Sequence, residues 1–587
     1  MRRRISPFRA LSTVALAVAL GACGSGGSSG GDGGGGTVQP LSYRILATND
    51  LGMHCVDADF SVFSILPPYN VVGAQVIRTD TAGRPSLAGD AAVALRYSPI
   101  PDANGSINSR SVGKTNFWQH AAQLFGANLA PGQGLKGLYM PADATSPEQT
   151  SLTWNTAGGL FKAEGIPIIP TDDAGNSNRY PLMRIEATEK SSGEKVATLD
   201  IVLPVSEETT CSNCHATGSV AARGSGVSWS ANADLEVQSR ENVLLLHDAR
   251  RGTGLMAARP VLCAACHYSA ALDLAGSGPN GTQSSHGSMS AVMHAYHADK
   301  MQDATGAALP DSWVAQGQIP PSPESQACYQ CHPGKNTQCL RGAMTNAVTC
   351  QNCHGGMSAV GAAANLQAGG SIDGKNDGKA RRPWIDLPRC QSCHTGDAAS
   401  HQSVADASLM ATDGLRMLLA FRSDDPAASP IKATNKRFAE NDNRLYRFSK
   451  GHGGVGCEGC HNSTHAIWPN PVEAHNDNVA AEQLQGHSGT VTECSTCHAT
   501  GTLPLSLGGP HGMHPVNDSR WTNGGHGDLA EGSQQSCAAC HGTDFRGTVL
   551  SRTAAERTWR TESGIRTIGK GLEIGCYDCH SGPGGGD

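Results

Sequence analysis

The pentapeptide Cys-x-x-Cys-His occurs nine times in this 587-residue chain, and no other feature restricts what it can fold into so strongly. The paired cysteines are Cys211 and Cys214, Cys263 and Cys266, Cys328 and Cys331, Cys350 and Cys353, Cys390 and Cys393, Cys457 and Cys460, Cys494 and Cys497, Cys537 and Cys540, and Cys576 and Cys579. The adjoining histidines are His215, His267, His332, His354, His394, His461, His498, His541 and His580. Thiols three residues apart lie on one face of a helical turn. They are placed to bond the two vinyl groups of one porphyrin, with the next His under the ring as proximal iron ligand. This spacing reads as c-type haem attachment. Chance would supply about 0.03 such pentapeptides at these Cys and His frequencies. A bare Cys-x-x-Cys pair also suits a redox dithiol or half of a zinc site. Neither needs a His at the next position nine times. Eighteen of the 21 cysteines fall inside the motif, leaving Cys23, Cys55 and Cys339. The expectation is nine covalently bound haem c groups. Cys55 and Cys339 are free or bridged.

The N-terminus bears on where such groups are attached. Arg2, Arg3, Arg4 and Arg9 precede an apolar run, Leu11 to Leu20, too short to span a bilayer. Leu20-Gly21-Ala22-Cys23 then resembles the lipobox of bacterial lipoproteins. That resemblance implies a signal peptide over 1–22 and lipidation of Cys23. The other reading is an ordinary signal peptide with an incidental Cys. Gly24 to Gly36 is almost all Gly and Ser, so 23–40 reads as a lipidated Cys on a flexible tether. Gly24 stands where an Asp would resemble the inner-membrane retention signal. The expectation is therefore an outer-membrane lipoprotein at the cell surface, with the periplasmic face as the other option.

Charge is mildly acidic, at −7. Removing 1–22 takes away four of the 44 basic residues and no acid, leaving 40 against 51, or −11. No basic stripe marks a nucleic-acid partner. Aromatic residues are only 5% of the chain. Porphyrins would supply the large flat apolar surfaces that Phe and Trp normally provide.

Residues 41–205 hold no motif and show strand-like runs at 43–47, 71–77, 92–97 and Gly137 to Met140. Leu182 to Ala187, a polar turn, and Lys195 to Val205 read as a hairpin. Alternation over 195–203 has the period of two of a half-buried strand. The fold class expected is an N-terminal all-β sandwich-like domain followed by a loop-rich, mainly short-helical multihaem c-type cytochrome domain over 206–587. The polar stretch Asn49 to Cys55 reads as a turn with a structural His54, the alternative being that His54 reaches a haem of the next domain. The second region has about 42 residues per motif, too few for a separate pocket around each porphyrin, so neighbouring rings must share walls. Wider motif spacings between His267 and Cys328, and between His394 and Cys457, are candidate sub-boundaries. Within the latter, 424–430 is loop-like.

Each iron needs a sixth ligand or stays open for chemistry. Beyond the motifs there are 14 histidines, of which His54 and His120 lie in the first region. The twelve candidates for the distal position are His247, His286, His294, His297, His401, His452, His465, His475, His487, His511, His514 and His526. They outnumber the nine irons, so supply suffices for nine bis-His sites. His294 and His297 sit three apart and suit two different haems. His465, four residues past His461, suits an adjacent haem rather than its own. His511 and His514 compete with His526.

A lipobox, a Gly/Ser tether, a β-domain and many haem motifs together resemble the outer-surface multihaem c-type cytochromes of metal-respiring bacteria. Two further stretches, Pro260 to His267 and Gly509-Pro-His-Gly-Met-His-Pro515, resemble that group as well. The resemblance implies electron conduction to extracellular acceptors such as metal oxides or other cytochromes. The donors it implies are periplasmic or outer-membrane cytochromes and porin–cytochrome conduits. Two alternatives compete with an electron-transfer protein. A reductase of a small nitrogen or sulfur oxyanion needs one open haem, and the chain lacks the Cys-x-x-Cys-Lys motif of the nitrite reductase type. A cytochrome-filament subunit would stack haems across copies. No residue is assigned a catalytic role.

Overall fold

The computed structural model describes residues 42–273, 277–298, 328–333, 337–345, 348, 350–354, 390, 394, 436–441, 445–561 and 564–582. The segments 1–22 and 23–40 with Cys23, the motif residue Cys393, His401 and the stretch 424–430 lie outside the described residues.

The strands expected from alternation form at β1 (Ser42–Asn49), β4 (Asn70–Thr79), β6 (Val93–Pro99), β9 (Leu182–Glu189) and β10 (Lys195–Val202), with the short β2 (His54–Val56) and β3 (Phe63–Ser64) after β1. They join β5 (Pro85–Ala88), β7 (Ser151–Asn155) and β8 (Leu160–Ile166) in one eight-stranded sheet of order β1-β4-β8-β7-β6-β9-β10, with β5 paired to β4. Every pairing in it is antiparallel. Along β6 the period of two is plain: Val93, Leu95 and Tyr97 are buried, while Ala94 and Arg96 face outward. The expected hairpin between β9 and β10 is present.

Three expectations are corrected. The sheet is not a sandwich of two layers. Its terminal strands β1 and β10 come into contact, so one sheet curls nearly into a barrel. Register irregularities at Asn70/Val71 and Lys195/Ala197 add the local twist that such curling needs. Nor is the segment wholly β. Phe117–Phe125 forms α1, driving Phe117, Ala121 and Leu124 into the barrel core at helical spacing. It ends at Gly126, whose φ of 64° is the usual left-handed stop. Finally, Gly137 to Met140 is not a strand but the end of a turn at 134–137 followed by irregular chain. Gly137 takes φ 88° and its N–H bonds Gly134 O at 2.9 Å, closing the chain where a strand would extend it.

The region after residue 205 is short-helical and loop-rich, and it packs against the barrel. Residues 39–587 make one compact unit. β11 (Val205–Glu207) pairs in parallel with β2, and β12 (Val261–Leu262) with β3. Trp468, Ala480 and Ala481 enter the same apolar core as the sheet. This packing covers the second face of β10. Leu199, Asp200, Ile201 and Val202 are all buried, and the Asp200 N–H donates to Gln483 Oε1 at 2.8 Å. The Gln75 side chain in β4 bonds Gly454 O and the N–H of Gly456, and Thr79 donates to Cys497 O at 2.8 Å. The outer wall of the barrel is thus the floor of the motif region.

One helix there is long. α2 (Ser212–His215) is a single turn, but α3 (Leu235–Arg251) runs for 17 residues. Asp234 caps it by accepting from the N–H groups of Glu236 and Val237. Glu236 in its first turn and Arg250 and Arg251 in its last suit the helix dipole, and Gly252 at φ 65° ends it.

Candidate haem sites: opposed histidine pairs

Each motif closes one helical turn. The N–H of the motif His donates to the carbonyl of the first Cys at 2.9–3.1 Å in the Cys211, Cys263, Cys328, Cys390, Cys494 and Cys576 motifs. The Cys350 and Cys457 motifs are single α-turns, and the Cys537 motif ends the helix Gly527–His541. This turn sets the ring of each motif His beside its own cysteines. Burial pushes the Cys263, Cys331, Cys457 and Cys497 thiols up to about 12, so these are neutral at ordinary pH, while the bond from the Cys328 thiol holds Cys350 down. A thiolate zinc site needs the opposite environment. No group of three or more metal-ligating side chains is gathered among the described residues. The histidines are arranged in opposed pairs instead.

Among the described residues, eight motif histidines face a non-motif histidine. The ring-centre separations are 6.4 Å for His215 with His297, 5.9 Å for His332 with His294, and 6.1 Å for His354 with His465. They are 5.9 Å for His461 with His511, 6.0 Å for His498 with His452, 6.3 Å for His541 with His514, and 6.0 Å for His580 with His526. His267 has two such neighbours, His247 at 6.5 Å and His286 at 5.6 Å. Two imidazoles holding one iron from opposite faces need ring centres about 6 Å apart. That figure is two bonds of about 2 Å, as for His on zinc, plus about 1.1 Å from each nitrogen to its ring centre. The repeated separation matches this requirement.

The tautomer matches as well. Nδ1 of His267, His541 and His580 bonds the carbonyls of Gly287, Ile574 and Gly582 at 2.7–2.9 Å. Among the distal candidates, Nδ1 of His294, His297, His465, His511, His514 and His526 bonds the carbonyls of Ser290, Met293, Leu51, Arg437, Pro515 and Trp521 at 2.6–3.2 Å. A carbonyl only accepts, so Nδ1 carries the proton and Nε2 keeps its lone pair for a metal. Burial pulls His215, His294, His461 and His514 down to about 4, which keeps these rings neutral, as ligation requires. His465 is the exception in charge: despite its burial, the Cys339 thiol and the Leu51 carbonyl raise it to about 9. By spacing and tautomer these residues fit the group the motif implies. At the Cys576 motif a cavity of about 440 Å³ runs along His526, His580 and Cys579.

Other histidines are placed differently. His54 bonds Tyr69 O through Nδ1 and Asp50 through Nε2, both at 2.8 Å, which occupies both nitrogens in the turn expected there. His487 is likewise taken at both, by Ser488 O at 3.0 Å and Glu493 at 3.1 Å. His475 packs on Tyr180 with ring centres 4.1 Å apart and planes tilted by 33°, and meets Asn470. Neither His475 nor His487 joins a pair. His511 and His514 do not compete with His526, because each faces a different motif. His394 lies near enough to His461 to repel its charged form. Cys55 and Cys339 are both free thiols.

The sites connect to one another. His294, on the π-helical turn Ala291–Ala295, and His297, on the α-turn Tyr296–Ala298 that continues it, face the Cys328 and Cys211 motifs, and Thr210 N donates to Cys331 O at 3.0 Å. The Cys328 thiol bonds that of Cys350. His461 and His465, four residues apart, bind the Cys457 and Cys350 sites together, and His511 and His514 do the same for Cys457 and Cys537. Ile574 O, which accepts from His541, lies two residues before Cys576. Val491 N donates to Cys460 O at 2.8 Å, tying the Cys494 motif to Cys457. Cys263 lies beside Cys211. The order is Cys263, Cys211, Cys328, Cys350, Cys457, Cys537, Cys576, with Cys494 and Cys390 branching at Cys457. Four of the carbonyls that orient the rings, those of Gly287, Leu51, Arg437 and Ile574, lie 20 to 414 residues from their His, and no sequence signal marks them; the other five lie within five residues of theirs.

Comparison of the chain with family models, curated proteins and solved structures returns no match.

Proposed function

We propose that this chain is an electron-transfer protein carrying nine c-type haems, mostly bis-His ligated, and exported as an outer-membrane lipoprotein through Cys23. The observation that supports it best is the set of eight motif histidines, each opposed at about 6 Å by a histidine whose Nδ1 or surroundings leave Nε2 free. Bound haem supplies a one-electron iron(III)/iron(II) couple at each site. The chain's own residues do the rest. The cysteine pairs would hold the group, the paired imidazoles would ligate its iron, and the carbonyls bonded to Nδ1 set the imidazole orientation and basicity. The barrel supplies a rigid apolar floor.

Electrons enter from periplasmic or outer-membrane cytochromes or porin–cytochrome conduits and leave to extracellular acceptors. The oxyanion-reductase reading needs an iron with one open face. The opposed pairs argue against an open face at eight of the motifs. Optical and EPR spectra of the purified protein test the proposal, together with its intact mass. Nine haems per chain with low-spin signals support it. Fewer than nine haems, or a dominant high-spin signal with rapid turnover of nitrite or hydroxylamine, overturn it.

A further inference from the structure

We propose that the hairpin of β13 (Arg557–Thr561) and β14 (Gly564–Ile568) is the port through which electrons leave to a small anionic metal chelate. The proposal rests on the electron-transfer reading above. Its position comes first. Arg560 and Thr561 line the same cavity as His526 and His580, so the hairpin frames the last site in the series. Its two faces differ, as the period of two requires. The face with Trp559 and Arg566 is turned to the motif, and Arg566 donates to Asp578 O within the Cys576 turn. The other face, with Thr558, Arg560, Ile565 and Thr567, is exposed, and Arg560 stands directly opposite Ile565. Ile565 is 78% exposed, more than any other large apolar side chain described.

Charge selects the occupant. The chain as a whole is acidic, at −7. Residues 557–570 instead carry Arg557, Arg560, Arg566 and Lys570 against one acid, Glu562. Arg557 is neutralised by Glu493, but Lys570 meets only the Ser488 hydroxyl and Arg560 makes no ion pair among the described residues. An anionic chelate is therefore repelled by the acidic remainder and drawn to this mouth, an effect worth 10–10³ in encounter rate at low salt. Each event moves one electron: iron(III) citrate becomes iron(II) citrate, the protein is left one electron more oxidised, and no bond forms or breaks.

The test is stopped-flow oxidation of the dithionite-reduced, full-length protein. Iron(III) citrate is the anionic acceptor and hexaammineruthenium(III) the cationic one. At about 10 mM ionic strength, where screening reaches about 30 Å, Arg560→Glu/Lys570→Glu is expected to slow citrate reduction roughly tenfold and to speed the ruthenium reaction. The difference should collapse above about 0.5 M salt. Lys570→Glu, which lies away from the cavity, should show the same direction at about threefold, and it carries the test if the double variant loses haem. Unchanged citrate rates in both variants, with the wild type fully reducible, would sink the port. A wild type with no reducible haem absorbance would sink the electron-transfer reading itself. Equal slowing of both acceptors would also overturn the proposal, because it would point to a damaged site rather than a lost charge.

Discussion

The buried pair Arg341–Asp477 gives the sharpest prediction on how the motif region is held. Arg341 is 1% exposed and bonds both oxygens of Asp477, at 2.6 and 2.9 Å, while also donating to Gly52 O. Its own N–H donates to His465 O at 2.9 Å, so the pair supports the segment that presents His465 to His354. Removing one partner of such a pair leaves the other charge buried, which costs about 3–5 kcal/mol, against a near-neutral outcome when both become apolar. Arg341→Met leaves Asp477 with Asn470 Nδ2 at 2.5 Å as its remaining side-chain donor. Asp477→Leu leaves Arg341 with carbonyl partners alone. Each single variant should lose about 3–5 kcal/mol in guanidinium unfolding followed by circular dichroism, a factor of about 10²–10³ or more in the folding constant. Arg341→Met/Asp477→Leu should recover most of that loss. In the single variants one haem of the nine should lose low-spin character, because His465 is no longer held. Single variants within about 0.5 kcal/mol of wild type, or a double variant as weak as the sum of its parts, would refute the reasoning.

Four further outcomes follow from particular residues. His294→Ala should create one carbon-monoxide-binding haem per chain at the Cys328 site, and His297→Ala one at the Cys211 site, each visible as a new high-spin signal. At His267, the 6.5 Å separation of His247 fits a shared iron better than the 5.6 Å of His286, so His247→Ala should open that site and His286→Ala should not, as judged by carbon monoxide titration. Among the described residues no acceptor meets the buried His215 Nδ1, unlike its counterparts in His267, His541 and His580, so its imidazole is the poorer donor. The Cys211 centre should therefore reduce at higher potential than those three in a site-resolved NMR titration. Cys23→Ser should leave haem content unchanged and move the protein from the membrane to the soluble fraction on cell fractionation.

What was legible in the chain was local. A Cys-x-x-Cys-His turn is specified within five residues, because helical geometry alone puts both thiols and the His on neighbouring faces. Strand-like runs likewise marked β1, β4, β6, β9 and β10, since strand patterning is local, whereas β2, β3, β5, β7 and β8 were not read from the chain. Expectation failed where distant segments intervened. β10 alternates in sequence yet is buried on both faces along 199–202, because the helix around Gln483 covers its outer side. α1 looked like part of an all-β segment because nothing local says that Phe117, Ala121 and Leu124 have a barrel to fill. The distal histidines show the limit most clearly. His452, His475 and His487 are chemically identical, yet only His452 meets a motif His, while Tyr180, 295 residues before His475, and Glu493 claim the other two. His465 finds His354 across 111 residues and is aimed by a carbonyl at Leu51. Attachment is a property of one turn and can be read from the chain. Ligation, the order of the sites and the cationic mouth at the last of them depend on which segments pack together, and only the tertiary structure decides that.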